Sequence, residues 1–494
     1  MSSLRDFAEA TGAREAPTGT NKMTLRARIL AACGLTLFAG ALQAADLLSV
    51  YERALQNDPQ IREADANRLA SRESKPQALA ALLPQFNASG SYSDVSQEFS
   101  RTTLTPAVPS DPNSVLVPRD INTDSDYKAR QYDLTLRQSL FHWDQWAALR
   151  RADAQVAQAE ADYQAAQQDL ILRTSQRYFD VLAAQDTVDA AQATLEAFSR
   201  QLEQADKRFE VGLIAITDVQ EARAAHDQAA AAVIQAKRAL ATAQELLREL
   251  TGESFDSLAG PIDDLPLESP APADEEQWVT SALDQNLRVI SARLATDIAK
   301  QDVTVARSGH LPSFDIVASR DDQDFNGDQV SRNVNGSPIG SPADQSQKTD
   351  SIGIQVTVPI YSGGATSSLV RQRVYLHRAA RERLERTNRE TERAARDAYL
   401  GVLSEMSRVR ASKQALESSR TALQATEAGF EVGTRTTVDV LQSRRQLFDA
   451  QTNYSRSRYD YILNVLNLQL ATGTLDRADL EKINAFLKER AITR

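Results

Sequence analysis

The residue types that commonly perform catalysis are present in this chain, but their spacing forms no recognisable catalytic or metal site. The 494 residues include four scattered histidines without metal-ligand spacing: His142, His226, His310 and His377. Ser362-Gly363-Gly364 is predicted to form a turn and lacks the pattern of a phosphate-binding loop. From the residues alone we therefore predict no catalytic residue, no cofactor and no bound metal.

Two acidic residues stand at the same distance after a glycine in two similar segments. Asp218 follows Gly212 by six positions, and Asp439 follows Gly433 by six. Residues 217–220, Thr-Asp-Val-Gln, have the pattern of a helix N-cap with a capping box. A carboxylate in the first turn of a helix is stabilised by about 0.3–1 kcal/mol through the helix dipole. The segments predict two turns, each followed by a helix, and a capping role is sufficient to explain both acids.

These segments belong to an internal repeat that spans most of the chain. The tetrapeptide Phe-Glu-Val-Gly occurs at residues 209–212 and again at 430–433, an offset of 221. Further upstream, Leu-Pro-x-Phe occurs at 83–86 and again at 311–314. A repeat of this length far exceeds a solenoid unit, so it indicates a duplicated half-protein. Each half is predicted to contain helix, strand, polar loop, strand, very long helix, glycine turn and helix.

The repeat divides the chain into five predicted parts. They are an N-terminal extension with a signal peptide (1–44), the first repeat (45–259), a linker (260–274), the second repeat (275–479) and a C-terminal tail (480–494).

The N-terminal part has the features of a signal peptide. Arg26 and Arg28 precede the apolar run 29–41, and residues 42–44 supply a small-residue cleavage site. The run is shorter than the roughly 20 residues that a transmembrane helix needs. Met23 is the expected start, and the mature chain is predicted to leave the cytoplasm; a buried N-terminal helix is the alternative.

The cysteine and charge content limit the chemistry and the partners of the chain. The single cysteine, Cys33, lies in the predicted signal peptide, so the mature chain can form no disulfide. The sequence before Cys33 resembles a lipoprotein cleavage box, which leaves lipidation as an alternative. The formal net charge of −11 does not favour nucleic acid. If the protein encloses a channel, its acidic wall would favour cations.

Four segments alternate apolar and polar residues with the period of two that predicts β-strands. They are residues 86–93, 132–141, 314–320 and 351–360. The residues between the members of each pair, 94–131 and 321–350, are polar and are predicted to be long loops. Aromatic residues lie near the end of each second strand: Phe141, Trp143, Trp146 and Tyr361. Long loops and aromatic belts are typical of outer-membrane barrels, and an ordinary half-buried sheet is the alternative.

Four strands cannot close a barrel, and an open sheet edge cannot lie in lipid. Two copies would supply eight strands, whose interior is just filled by side chains. Three copies would supply twelve strands and room for an aqueous lumen, so a transport role predicts a trimer with pseudo-sixfold symmetry.

The remaining sequence predicts two long helical hairpins, at about 145–250 and 365–471. Residues 146–209 contain no Pro or Gly and are rich in strong helix formers. Pro84 and Pro312 are predicted to end the helices that precede the first strand of each half. A secreted or periplasmic coiled-coil scaffold without channel activity is the alternative of a different class.

Together these segments resemble the TolC family of bacterial outer-membrane export channels. Residues 358–364, Val-Pro-Ile-Tyr-Ser-Gly-Gly, are similar to the strand-to-helix passage of the family. Residues 430–441 are similar to its helix-tip sequence, and residues 211–219 form the equivalent tip of the first half. The resemblance covers about 46–479.

The resemblance implies an α+β membrane protein, in which a trimeric, twelve-stranded antiparallel β-barrel is continuous with a long α-helical coiled-coil barrel. It implies a place in the bacterial outer membrane, with the helices extending into the periplasm. The implied partners are two further copies, outer-membrane lipid, a periplasmic adaptor (membrane fusion) protein and an inner-membrane pump or ABC exporter. The implied function is a passive, porin-like exit duct for tripartite efflux or type I protein secretion, not an enzyme. A dedicated metal or drug efflux channel of the same fold is the nearest alternative.

The resemblance also implies a gate at the helix tips, with Gly212 and Gly433 in the turns. The implied latch residues are Gln201, Thr217, Asp218, Glu427 and Arg435. Asp439 resembles a ring of acids that faces the lumen, a device that selects cations.

Two residues depart from the protein for which the family is named. Phe430 stands where that protein has Tyr, so a hydroxyl link of the latch is missing. Gln442 stands where it has a second Asp, so we expect one acid ring and weaker block by metal cations.

Overall fold

The computed structural model describes residues 44–488 except 109, 111–112, 263–264, 333–337 and 343. The predicted signal peptide up to residue 43, with Met23 and Cys33, lies outside the described residues, as do residues 489–494 of the predicted tail.

The described residues form ten helices and seven strands. The helices are α1 (Leu47–Asn57), α2 (Pro59–Arg72), α3 (Ser74–Ala80), α4 (Trp143–Glu210), α5 (Ile216–Thr251), α6 (Glu275–Gln285), α7 (Leu287–Ser308), α8 (Ala365–Glu431), α9 (Thr437–Thr472) and α10 (Arg477–Asn484). The strands are β1 (Gln85–Pro106), β2 (Leu116–Phe141), β3 (Gly260–Pro261), β4 (Ser313–Arg332), β5 (Pro338–Pro342), β6 (Gln345–Thr357) and β7 (Leu487–Lys488).

Two antiparallel helical hairpins form most of the molecule. Helices α4 and α8 have 68 and 67 residues, which is about 100 Å each at 1.5 Å per residue. Each turns back into a helix of 36 residues, α5 or α9, that packs along it. Helices α2, α3 and α7 pack against the remaining length of the long helices. The predicted order of elements in the two halves is confirmed.

The main apolar core lies near the middle of the long helices, where both halves use a tyrosine in the same way. The Tyr178 hydroxyl donates to the Ala259 carbonyl at 2.6 Å, and the Tyr399 hydroxyl donates to the Ala273 carbonyl at 2.9 Å. Burial raises the pKa of Tyr178, so its hydroxyl stays protonated and donates. Both carbonyls lie in the segment between α5 and α6, so the two tyrosines fix this one segment against both long helices.

Strands β1, β2, β4 and β6 form one antiparallel sheet in that order, with the short β5 paired to the end of β4. Strand β4 begins directly after Pro312, and β1 begins directly after Pro84. The predicted long loops at 94–131 and 321–350 are wrong for most of their length. Backbone pairing of β1 with β2 continues to Pro106, and β4 extends to Arg332. The last predicted strand is too long, because β6 ends at Thr357 rather than at residue 360.

The two faces of this sheet differ near the helices. Phe86, Leu136, Ala318 and Ile352 lie in one cross-strand row, and Phe86 and Ile352 are 68% and 81% exposed in the single chain. The next row, on the opposite face, is polar and includes the 2.8 Å hydrogen bond between the hydroxyls of Ser319 and Ser351. An exposed apolar face opposite a polar face is the pattern of a barrel strand in a membrane. Among the described residues, no helix has the length and apolar character that crossing a membrane requires.

A buried carboxylate joins the sheet to the first long helix. Asp315 of β4 is 1% exposed, and its side chain accepts a 2.8 Å hydrogen bond from Nη2 of Arg137 at the end of β2. Its other oxygen lies 3.1 Å from Nε2 of His142, the N-cap residue of α4. Asp315 therefore fixes the entry angle of α4 relative to the strands.

Candidate gate at the helical tips

The two hairpins turn in the same way. Gly212 and Gly433 have φ of +75° and +78°, a conformation that favours glycine because it has no Cβ. The Leu213 amide donates to the Arg208 carbonyl and the Thr434 amide to the Gly429 carbonyl, each at 2.8 Å. These pairs occupy equivalent positions of the repeat, so the tips share one backbone structure.

The return helices begin differently, and the predicted capping box at residues 217–220 is wrong. Helix α5 begins at Ile216, and its N-cap residue is Ala215, which has no side-chain oxygen to cap the helix. The equivalent residue of the second tip is Thr436, and it forms a capping box with Asp439. The Asp218 side chain therefore has no capping partner, whereas that of Asp439 has one.

The Asp439 carboxylate accepts two hydrogen bonds on its Oδ2 atom, and the Asp439 backbone amide donates a third to Thr436. Oδ2 accepts from the Thr436 amide at 2.9 Å and from the Thr436 hydroxyl at 3.0 Å, while the Asp439 amide donates to that hydroxyl at 3.2 Å. The Thr436 amide and hydroxyl, with a smaller contribution from the Arg435 charge, hold the pKa of Asp439 below its usual value. Asp439 is therefore a persistent negative charge beside the second turn.

Each hairpin carries an acid–arginine ion pair just before its turn. In the second hairpin, Oε1 of Glu427 lies 2.7 Å from Nη2 and 3.1 Å from Nε of Arg444. In the first, Oδ1 of Asp206 lies 3.9 Å from Nη2 of Arg223. Asp206 and Arg223 precede Glu427 and Arg444 by the repeat offset of 221 residues. Neither arginine was predicted from the sequence, although the repeat offset and the antiparallel hairpin together indicate both positions.

A cation–π contact and an apolar contact join the two hairpins near their tips. The guanidinium carbon of Arg208 on α4 lies 4.8 Å from the ring centroid of Phe430 on α8. Farther from the turns, Phe198 of α4 is 1% exposed and belongs to one apolar cluster with Leu441 of α9. The sequence analysis missed Arg208 because nothing in the local sequence indicates what its side chain faces.

Arg435 lies against the backbone of its own turn. A Cβ atom on Gly429 would lie 2.8 Å from Cγ of Arg435, so the glycine makes room for this side chain. The Arg435 amide also donates to the Gly429 carbonyl at 3.2 Å. The residue is exposed and forms no salt bridge with another described residue.

Within the described part of one chain, the residues implied as a latch form no side-chain hydrogen bond or salt bridge with one another. Gln201 is buried on α4, Thr217 is exposed, and Asp218 is partly exposed with no salt bridge among the described residues. Glu427 is engaged by Arg444 in its own hairpin. At the tips, the single chain therefore contains two glycine turns, two ion pairs within hairpins, and a cation–π contact and an apolar contact between hairpins.

No group of His, Cys, Asp or Glu in the described part of the chain has an arrangement that could hold a metal ion.

Comparisons with known proteins agree with this architecture. The sequence model described as "Outer membrane efflux protein" matches residues 50–253 and 278–474. Outer membrane protein TolC of Vibrio cholerae is 36% identical over 465 residues, which cover 93% of this chain and 98% of that protein. The alkaline protease secretion protein AprF of Pseudomonas aeruginosa is 30% identical over 445 residues, covering 89% and 86%.

Solved structures show the same fold at lower sequence identity. The CmeC outer membrane channel of Campylobacter jejuni superposes with a TM-score of 0.67 at 18% identity, with 90% of each chain covered. The outer membrane protein VceC of Vibrio cholerae gives a TM-score of 0.66 at 19% identity, covering 86% of this chain and 96% of that one.

The fold and its paired tips define the class of outer-membrane channels with long periplasmic helices. The chain belongs to the outer membrane efflux protein family, the family of TolC. It is accordingly an outer-membrane channel of the efflux and type I secretion class, and it is not an enzyme. Channels of this family are trimeric and work with efflux or secretion machinery.

Proposed function

We propose that three copies of this chain form a passive exit duct, and that the helical tips of each copy gate its periplasmic end. The open sheet is the observation that carries this proposal. Strands β1 and β6 each pair on one side only in the described chain, and an open edge cannot lie in lipid. Pairing β6 of one copy with β1 of the next closes a barrel, and three copies leave room for a lumen.

The tips are suited to gating because their charges are available to neighbouring copies. Asp218 and Arg435 have opposite charge and no salt bridge within 4 Å among the described residues of one chain. We assign them, with Thr217 and Gln201 of the first tip and Glu427 of the second, to the contacts that hold the resting gate closed. Asp439, with its lowered pKa, is assigned to an acid ring that attracts cations to the entrance.

The cargo and partners are proposed by analogy with the relatives. AprF and the proteases secretion protein PrtF of Dickeya chrysanthemi are named for protein secretion, and BepC of Brucella suis is named as an outer membrane efflux protein. We assign this chain to type I protein secretion, small-molecule efflux or both, with a periplasmic adaptor protein and an inner-membrane pump or ABC exporter as partners. We assign the supply of energy to the pump or exporter, because the sequence contains no glycine-rich phosphate-binding loop.

Planar-bilayer conductance and the mass of the purified protein in detergent test this proposal together. We expect a trimer that inserts and gives small, cation-selective currents at rest. A monomeric or soluble species that gives no current would contradict the trimeric duct. A trimer with large, ungated currents would support the proposed duct but contradict the proposed gate.

A further inference from the structure

Arg208 and Phe430 connect the two tips of one chain, and neither has another strong partner there. Arg208 lies in the last turn of α4 and forms no salt bridge with a described residue. Its guanidinium lies 4.8 Å from the Phe430 ring centroid, within the roughly 6 Å over which a cation is attracted by an aromatic face. Both side chains are partly buried, which limits the competition from water.

The repeat supplies an internal comparison for this contact. The residue equivalent to Phe430 in the first tip is Phe209, which is 42% exposed and has no cation over its ring. The residue equivalent to Arg208 in the second tip is Gly429. The pair therefore breaks the pseudosymmetry of the two tips. Among the described residues, an arginine of the first tip contacts an aromatic ring of the second, and the equivalent positions form no such contact.

We infer that the Arg208–Phe430 cation–π pair holds the two hairpin tips of each protomer together in the resting gate. This inference rests on the proposed gate and names a link within it. Arg208 contacts the face of the Phe430 ring, and this contact needs no hydroxyl. The two tips are therefore connected although residue 430 is Phe and not Tyr. Opening that moves one hairpin relative to the other must separate the guanidinium from the ring.

If the link stabilises the closed state, removing either side chain should favour the open state. Arg208→Met keeps a long apolar stem but removes the charge, and Phe430→Leu keeps an apolar side chain but removes the aromatic face. At a partly exposed site such a pair stabilises its state by an amount that corresponds to about a two- to fivefold change in equilibrium. We therefore expect each variant to raise the open fraction of the resting channel about two- to fivefold.

The experiment is single-channel recording of the mature trimer carrying Arg208→Met, Phe430→Leu or both. If the two residues act through one contact, the double variant opens no more than the stronger single variant. Arg208→Lys, which keeps the charge, should have an open fraction closer to that of the original protein. Phe209→Leu and Arg200→Met are matched controls, because Phe209 has no cation partner and Arg200 pairs only within α4, with Glu196.

The outcomes separate this inference from the proposed function. Unchanged open fractions in both single variants, with the original protein conducting normally, overturn the link. Additive effects in the double variant overturn it as well, because they show two independent roles. If the original protein gives no current at all, the proposed duct fails regardless of these residues. Trimer mass and melting temperature of each variant show that the protein is folded.

Discussion

Glu427 and Arg444 form a close ion pair across the second hairpin, and the repeat places Asp206 and Arg223 at the same two positions of the first. The closest N–O distances are 2.7 Å in the second hairpin and 3.9 Å in the first. Each pair ties an outgoing helix to its return helix just before the turn. Each tip is therefore expected to move as a rigid unit, with motion taking place between hairpins and not within them.

The first prediction concerns the closer pair. Glu427→Gln removes the charge but keeps the size of the side chain, so Arg444 loses an ion pair in which the two side chains are 38% and 25% exposed. At such exposure the pair contributes about 0.5–1 kcal/mol. We expect amide hydrogen exchange of peptides covering residues 425–445 to accelerate about two- to fivefold. Mass spectrometry of the exchanged trimer measures this.

The weaker pair of the first hairpin is the matched control. Asp206→Asn should accelerate exchange near its own turn by less, because its ion pair is longer and both partners are about half exposed. The reversed pair Glu427→Arg with Arg444→Glu should return exchange toward the original rate. Equal acceleration by Glu427→Gln and Asp206→Asn would show that the shorter distance carries no additional stability.

The second prediction concerns the latch assignment. Asp218→Ala and Arg435→Ala each remove a charge that has no salt-bridge partner among the described residues of its own chain. If these charges hold neighbouring tips together, resting conductance in a planar bilayer rises in both variants. Lys237→Ala, an exposed change elsewhere on α5, should not affect it. Unchanged conductance in both variants would show that neither Asp218 nor Arg435 holds the gate closed.

The sequence predicted the helices better than the strands for a physical reason. Residues 146–209 contain no Pro or Gly, so the sequence predicts one uninterrupted helix there, and α4 is that helix. Strand alternation instead depends on a difference between the two faces. Beyond the apolar rows the apolar face becomes polar, as in the cross-strand pairs Asp94 with Lys128 and Ser96 with Asp126, whereas Val95 and Phe99 lie on the opposite face. Backbone pairing continues there, but the sequence contains no period of two to indicate it.

The candidate gate was predictable only where local sequence determines it. The glycine turns follow from the repeat, since a left-handed residue is needed at each tip. The cap of α5 was misplaced because Thr217 and Asp218 have the right types for a capping box, although the backbone places Ala215 at the N-cap. The contact of Arg208 with Phe430 joins residues on different hairpins, so only the packed structure shows it.

The third prediction concerns block of the entrance by metal cations. Gln442 is exposed and lies three residues after Asp439, so the two share one face of α9. Gln442→Asp adds a second acid beside Asp439, and we expect divalent cations to block the channel at about tenfold lower concentration. Gln442→Asn, which adds no charge, is the control. Asp439→Asn should weaken both block and cation selectivity, and block that is insensitive to all three changes would place the cation site elsewhere.

The fourth prediction concerns pH. Hydrogen bonds from the Thr436 amide and hydroxyl hold the pKa of Asp439 below its usual range. A group whose folded pKa is lowered stabilises the protein fully above its unfolded pKa, and this stability is lost as pH falls through the folded pKa. The charge of Asp439, and the cation selectivity assigned to it, should therefore persist to lower pH than the charge of an ordinary aspartate.

Thr436→Val tests this dependence because it removes the hydroxyl but keeps the backbone amide. The midpoint at which selectivity disappears should move to higher pH, as measured by reversal potentials in a titration from about pH 6 to about pH 3. Thr421→Val is the control, since the Thr421 hydroxyl donates to the backbone carbonyl of Glu417 and to no acidic side chain among the described residues. The same midpoint in all three proteins would mean that Asp439 does not set the selectivity.

The fifth prediction concerns the junction between the sheet and α4. Asp315 is 1% exposed and binds both Arg137 and His142, so Asp315→Asn removes a charge that is hydrogen-bonded on both oxygens. Asn keeps one acceptor oxygen but replaces the other with an NH2 donor, so either Arg137 or His142 loses its acceptor, which costs about 1–3 kcal/mol. We expect a lower melting temperature of the detergent-solubilised trimer, followed by tryptophan fluorescence of Trp143 and Trp146 at the start of α4. Asp350→Asn is the control, because Asp350 is 71% exposed and lies 3.8 Å from Arg320. Equal melting temperatures for Asp315→Asn and the original protein would show that α4 is oriented by packing alone.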